Sequence, residues 1–372
     1  MPASGPVPMP ASGSGSGLSG TLPYFSTYEI VRSMDHDGES FTQGLAFGPT
    51  GTLFESRGLY GNSAIRVLDG NDGRTLHEVR NTPKIFGEGL AVMGGTTIAQ
   101  LSWREGTINE FNATDLSYLH ATEQPGDMNE GWGLATDGRD ASVLYASDGS
   151  NSLFHLATDG SYKVRRNLRA ADSRMGTPQR FAGFEGGGAL NGLNELEWVP
   201  VGGAGEVWAN LYPMNEHKLS ECIVRLDPAT GEALGWIDMR GLLAAQRETV
   251  RRGASHYVLN GIAYDTTTDT LLVTGKQWDH IYQIRLVPHP APDTDVREAC
   301  FGTWDSFADV DARAGSGAGE SGARPAAAAA ATAVARADLS LVDPAWAATG
   351  SRRATARRAA VDRALLRSES EI

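Results

Sequence analysis

Five short stretches constrain this chain more than anything else in it. They read Gln43-Gly44-Leu45-Ala46-Phe47, Glu88-Gly89-Leu90-Ala91-Val92, Trp132-Gly133-Leu134-Ala135-Thr136, Asn194-Glu195-Leu196-Glu197-Trp198 and Asn260-Gly261-Ile262-Ala263-Tyr264. Each opens on a variable polar or aromatic residue. A glycine usually follows, then Leu or Ile, and usually a bulky residue closes the stretch. The first two anchors, Gln43 and Glu88, lie 45 residues apart, and the later gaps are longer. A second apolar run follows each anchor, as in Leu53-Phe54, Ile98-Ala99, Leu144-Tyr145, Val207-Trp208 and Leu271-Leu272. A third run alternates with period two at residues 63–68, 107–111, 152–156, 222–226 and 281–286. Alternation is the signature of a half-buried strand. Turn formers separate the runs, as in Asp69-Gly70-Asn71-Asp72-Gly73 and Asp227-Pro228-Ala229-Thr230-Gly231. A strand-built unit of roughly 40–50 residues predicts propeller blades. The expected fold is therefore all-β, a five-bladed β-propeller with three or four strands per blade. The first strand of each blade would line a central channel. Gln43, Glu88, Trp132, Asn194 and Asn260 would then converge near one end of its axis.

The repeat predicts one propeller domain over residues 24–305, out of 372 in all. Residues 1–23 form a Gly/Ser/Pro-rich extension and residues 306–372 an Ala/Arg-rich linker and tail. Neither composition supports a core, so both extensions are expected to be disordered, with a short helix near 355–367 as the one local exception. Thr27 to Arg32 reads as a strand that completes the last blade and closes the ring, which removes sheet edges. Residues 161–191 read as a surface loop, and Leu242 to Arg252 as a helical stretch. The net charge of −13 disfavours nucleic acid, which calls for a basic face. No apolar run is long enough to span a membrane. Neither C-x-x-C nor H-E-x-x-H occurs, so no metal or cofactor is expected. A monomer is expected.

At these residues the chain resembles the plant-type glutaminyl-peptide cyclotransferases. The likeness runs through Phe41-Thr42-Gln43-Gly44-Leu45, Gly58-Leu59-Tyr60-Gly61, Phe86-Gly87-Glu88-Gly89-Leu90 and Gly131-Trp132-Gly133-Leu134-Ala135. It continues through Leu193-Asn194-Glu195-Leu196-Glu197, Val207-Trp208-Ala209-Asn210, Leu259-Asn260-Gly261-Ile262 and Val273-Thr274-Gly275-Lys276, covering roughly residues 28–302 in one order. That family is a five-bladed propeller, in agreement with the repeat. The resemblance implies that an N-terminal glutamine of a peptide or protein cyclises to pyroglutamate and releases ammonia. The α-amine must be neutral to attack, and its ordinary pKa of about 7.7–8.0 makes that accessible. The oxyanion needs a donor, and the departing nitrogen must gain a proton.

By resemblance, Glu88 takes the proton from the attacking amine and returns one to the leaving group. The alternative is a salt-bridged channel carboxylate. Glycines flank it, which reads as open access. Lys276 ends an apolar strand, a costly place for a lone ammonium. By resemblance it faces the site and holds the carboxamide oxygen or the Glu88 carboxylate; a lysine snorkelling to the rim is the alternative. Gln43 and Asn194 are uncharged anchors suited to substrate amides, or else to capping channel backbone. Phe41 and Phe86 precede Gln43 and Glu88 by two residues, on the same side of an alternating strand. By resemblance, Trp103 and Trp132 wall an apolar pocket around the glutamine side chain, where excluding water strengthens electrostatics. Tyr212 stands where the family usually has Trp. Each aromatic has plain core packing as its alternative. Asn260 reads as structural, as does Glu55.

Cys222 and Cys300 are the only cysteines. They can make one bridge or remain two buried thiols. Both match family positions that carry cysteine, which implies a disulfide. Two other functions are weighed against the cyclase: a non-catalytic propeller that binds peptides, and a metal-dependent propeller hydrolase. The second needs several channel carboxylates or histidines, whereas the five anchors hold one carboxylate and no histidine. The family is typically secretory, yet residues 1–20 lack the charged start and apolar run of a signal peptide, so the compartment stays open.

Overall fold

The computed structural model describes residue 18 and residues 21–175, 188–212, 218–252, 256–290 and 300–303. The chain divides into two compact units, Met1–Asp311 and Ala312–Ile372. The second lies outside the described residues, as does the expected tail helix.

The first unit is almost wholly strand. A four-stranded antiparallel sheet holds β2 (Thr42–Phe47), β3 (Leu53–Arg57), β4 (Ala64–Leu68) and β5 (Thr75–Arg80) in sequence order. A second holds β6 (Gly87–Met93), β7 (Thr97–Ser102), β8 (Thr107–Asn112) and β9 (Tyr118–Glu123). A third holds β10 (Leu134–Thr136), β11 (Val143–Ala146), β12 (Ser152–Ala157) and β13 (Val164–Arg169). The remaining large sheet has eight strands. One half is β14 (Leu193–Val199), β15 (Glu206–Leu211), β17 (Cys222–Leu226) and β18 (Ala233–Asp238). The other half is β1 (Phe25–Asp35), β21 (His280–Pro288), β20 (Thr270–Gly275) and β19 (Leu259–Asp265). The halves join only where Phe25 and Ser26 of β1 run parallel to Trp236 and Ile237 of β18. Along its length β1 pairs antiparallel with β21. The N-terminal strand thus completes the last group, as expected, and runs longer than the sequence pattern implied.

The innermost strands contact one another in a closed cycle, β2 to β6 to β10 to β14 to β19 and back to β2. Burial falls from that ring outward. In β2 all but the last residue are buried, while β5 is half-buried or exposed throughout. Successive side chains of a strand point to opposite faces. Leu45 therefore packs with Ala263, Leu272 and Ile281 on one side, and its neighbour Ala46 packs with Leu90, Ile98 and Phe111 on the other. The same division repeats around the cycle, so each pair of neighbouring strand groups shares an apolar layer. The result is a propeller-like all-β fold.

Three expectations change. Part of the stretch expected as a loop over 161–191 is strand β13, an outer strand whose exposed Arg165, Arg166 and Asn167 hide its period. The expected helix over Leu242–Arg252 is a 3₁₀ turn, Leu243–Ala245, and a single helical turn, Glu248–Arg252. Leu18, assigned by composition to the disordered extension, is buried, and its backbone N–H donates to Asp269 Oδ2 at 2.9 Å. Among the described residues no helix is long and apolar enough to cross a membrane.

Cys222 at the start of β17 is bonded to Cys300, with 5.1 Å between their Cα atoms. Beside the bridge, β16 (Lys218–Ser220) pairs with β22 (Phe301–Thr303). The bond therefore ties the C-terminal segment of this unit to the β15–β17 region, closing a sequence separation of 78 residues. Constraining a loop of that size stabilises by about 4 kcal/mol in the chain-entropy model. Thiol titration of denatured, unreduced protein is expected to find no free thiol. Two per chain would refute the bridge.

Candidate active site

The anchors do not sit in regular strand. Thr42 pairs with Arg57 and Gly44 with Ser56, so Gln43 is an extra residue on β2. The same one-residue excess lies between Gly87 and Leu90, between Leu193 and Leu196, and between Leu259 and Ile262. Gln43, Glu88, Asn194 and Asn260 thus each occupy a β-bulge of an innermost strand. Bulges re-aim side chains and are frequent beside active sites. Trp132 lies just ahead of the short β10.

The glycine after the anchor has a packing cause. A Cβ on Gly44 would meet the Leu90 nitrogen at 2.6 Å, and one on Gly89 the Trp132 oxygen at 2.5 Å. One on Gly133 would collide with the Asn194 carbonyl. Inner strands approach so closely that Gly89 N–H donates to Trp132 O at 2.6 Å. The reading of these glycines as open access is therefore corrected: they admit neighbouring backbone. In the fourth repeat Glu195 takes the glycine position. Its Oε1 accepts from Leu45 N–H at 3.2 Å and its Oε2 from Ile262 N–H at 3.0 Å. One carboxylate thus ties three inner strands together. Counting carboxylates at the five anchors alone missed it.

The anchors converge. Asn260 Nδ2 donates to Gln43 Oε1 at 3.2 Å and to Thr42 O at 3.0 Å. Gln43 Nε2 donates to Glu88 Oε1 at 3.1 Å. Asn260, read from sequence as structural, therefore fixes which end of the Gln43 amide faces Glu88. Asn194 is 1% exposed, and neither its Nδ2 nor its Oδ1 has a hydrogen-bond partner. An unpaired buried amide carries a desolvation cost.

Lys276 follows β20 and is buried. Its Nζ lies 4.9 Å from the Phe41 ring centroid and 5.0 Å from that of Tyr212. Both are within cation–π range. Among the described residues Lys276 makes no salt bridge, so of its two expected roles the direct grip on the Glu88 carboxylate is not made, and Glu88 acts on it by a longer-range attraction. Burial pushes the Lys276 ammonium down to about 8, against the pull of Glu88. Burial also raises the Glu88 carboxyl well above its usual range. The Lys276 charge opposes that rise, and the Glu130 and Glu105 carboxylates add to it.

The aromatic residues named from sequence come together here. Phe86 contacts Phe41 edge-on at 6.3 Å and Trp103 at 5.3 Å between centroids. Trp132 meets Tyr212 at 5.7 Å and 84°. The reason given for Phe41 and Phe86 needs correcting, because the bulge interrupts strict alternation and Phe41 precedes β2. Three further residues were missed. Tyr60 stacks edge-on against Phe86 at 5.3 Å and donates to Glu105 Oε1 at 2.8 Å. Glu130 accepts from both indoles, Trp103 Nε1 at 2.7 Å and Trp132 Nε1 at 3.1 Å. No periodic signal marks either glutamate, since both lie between strands. Glu55, by contrast, is structural as expected: it is fully buried and held by His36 at 2.9 Å and by Ser40 and Thr42, each at 2.7 Å.

A buried carboxyl, a buried amine and a cluster of aromatic rings thus share one end of the inner ring. The profile of the glutamine cyclotransferase family matches residues 11–286. The chain belongs to that family. It is 35% identical over 283 residues to a glutaminyl-peptide cyclotransferase of Arabidopsis thaliana, a match spanning 75% of this chain and 78% of that protein. It also matches the crystal structure of the glutaminyl cyclase of Myxococcus xanthus at 28% identity with a TM-score of 0.57. That alignment covers 71% of this chain and 98% of the Myxococcus chain. Both family relatives are cyclases, in line with the resemblance carried by the anchor motifs.

Proposed function

We propose that this protein is a glutaminyl-peptide cyclotransferase whose acid–base group is Glu88 and whose electrostatic stabiliser is Lys276. The observation that carries the assignment is the family match, within which Glu88 and Lys276 are a buried carboxyl and a buried ammonium whose charged forms burial disfavours. A general acid–base catalyst works best when its pKa lies near the working pH. The α-amine nitrogen of the substrate attacks the γ-carboxamide carbon. A C–N bond forms and closes a five-membered lactam. Glu88 accepts a proton from the attacking nitrogen and donates one to the departing amide nitrogen. The second C–N bond breaks and ammonia leaves. The charge developing on the carboxamide oxygen is stabilised by Lys276, held between Phe41 and Tyr212.

Gln43 orients Glu88, and the unpartnered Asn194 amide supplies a donor and an acceptor for the substrate. Phe41, Phe86, Trp103, Trp132 and Tyr212 wall the glutamine side chain. Enclosing it raises the population of folded, near-attack conformers. The closed cycle of inner strands and the minimal join between the halves of the large sheet support five blades over residues 24–305. Leu18 extends the packed part of that domain. The substrates are peptides or proteins with N-terminal glutamine, and the protein acts as a monomer without nucleic acid or membrane.

Ammonia release from a glutamine-initiated dipeptide tests the reading, with and without EDTA. Release is expected in both arms. Among the described residues no cluster of His, Cys, Asp and Glu could hold a metal ion. Absence of release in both arms would favour the non-catalytic binder. Loss in EDTA with recovery on adding zinc would favour a metal enzyme.

A further inference from the structure

One carboxylate oxygen holds both tryptophans of the pocket. Glu130 lies between β9 and β10. Its Oε2 accepts from Trp103, which follows β7, and from Trp132, which precedes β10. The two indoles come from different sheets, so the carboxylate clips one wall to the other. Its Oε1 accepts from Arg104 Nε at 3.0 Å, and the Arg104 guanidinium lies 3.8 Å from the Trp103 ring centroid. Arg104 therefore fixes the carboxylate and covers one face of the same indole.

The backbones of both tryptophans are secured without Glu130. Trp103 N–H donates to Phe86 O, Gly131 N–H to Trp103 O, Trp132 N–H to Ser147 O and Gly89 N–H to Trp132 O. What Glu130 adds is ring orientation. The Glu130 charge also acts on the Glu88 carboxyl.

We propose that Glu130 is a positioning residue for cyclisation, locking Trp103 and Trp132 as two walls of the pocket. This rests on the cyclase reading above. The walls confine the glutamine side chain to the folded conformer in which amine and carboxamide meet, so their loosening lowers kcat more than it raises KM. A misplacement of about 1 Å can reduce rate by about 100-fold. The charged and titratable groups that act on or respond to Glu88 are Lys276, Glu130, Glu105, Tyr60 and Tyr212. Lys276 favours the ionised carboxylate, and the other two carboxylates oppose it.

The test compares wild type, Glu130→Ala and Glu130→Gln with a glutamine-initiated dipeptide between pH 5 and 10. Glu130→Ala is expected to lower kcat by about 10- to 100-fold. Glu130→Gln keeps the shape and one acceptor, so it should recover part of that loss. It also removes a negative charge near Glu88, so the acid limb of kcat/KM should move to lower pH. The indole N–H resonances of Trp103 and Trp132, assigned through Trp103→Phe and Trp132→Phe, should both shift in Glu130→Ala. An active wild type with both Glu130 variants within twofold in kcat and the acid limb unmoved overturns the inference and leaves the cyclase reading intact. An inactive wild type overturns the cyclase reading itself.

Discussion

Replacing Glu88 by glutamine is expected to lower turnover by about 10²–10⁴-fold, the usual contribution of a general acid–base group, while leaving the fold intact or firmer. The two halves of that expectation have one cause. Glu88 is 4% exposed, and its raised pKa means that the folded protein disfavours the ionised carboxylate relative to the unfolded chain. A group of this kind lowers stability progressively as pH rises above its unfolded value. The amide never ionises, so Glu88→Gln escapes that penalty. It keeps an oxygen where Gln43 Nε2 donates. The melting temperatures of the two proteins should therefore lie close at pH 5 and diverge at pH 8 in favour of the variant. Stability gained and rate lost in one substitution marks a residue retained for chemistry. A variant that keeps more than half of the wild-type rate would remove Glu88 from the mechanism. A variant that melts well below wild type at pH 8 would make it a structural carboxylate.

How much of this was legible in the sequence depends on the range of each cause. Strand groups and their order could be read because period-two alternation and turn residues act within a few positions. The anchor glycines were visible as a pattern, yet their cause was not. Gly89 is required by the Trp132 backbone, 43 residues further along the chain. The bulges were hidden for a related reason. Whether Gln43 is an extra residue depends on the register of β3, which β2 alone does not encode. Lys276 was legible because an ammonium at the end of an apolar run is locally anomalous. Glu130 and Glu105 were not, because a glutamate in a polar connection between strands is ordinary until two tryptophans are found on it. Asn260 has the structural place expected of it, donating to Thr42 O and to the Gln43 amide oxygen.

The second large effect concerns Lys276. Its ammonium titrates at about 8, within the range where an assay can follow it. Activity that needs the charged form should therefore decline as pH rises past about 8. The substrate amine becomes reactive over the same interval, at about 7.7–8.0, so kcat/KM should peak in a narrow band. Lys276→Arg keeps the charge at every accessible pH, since guanidinium titrates above about 12. Its larger planar head fits the Phe41–Tyr212 gap less well, so the peak rate should fall, yet the alkaline decline should move up by more than about one pH unit. Lys276→Met removes the charge and should lower kcat by about 10²–10³-fold, the usual loss of one oxyanion donor. It should also shift the acid limb in the opposite direction to Glu130→Gln. Glu88 loses the one cation that favours its ionised form, so its carboxyl rises further and the limb moves to higher pH. The three profiles discriminate sharply. An alkaline limb unchanged in Lys276→Arg assigns that limb to another group. A Lys276→Met variant within threefold of wild type across the range would leave the oxyanion without its proposed stabiliser.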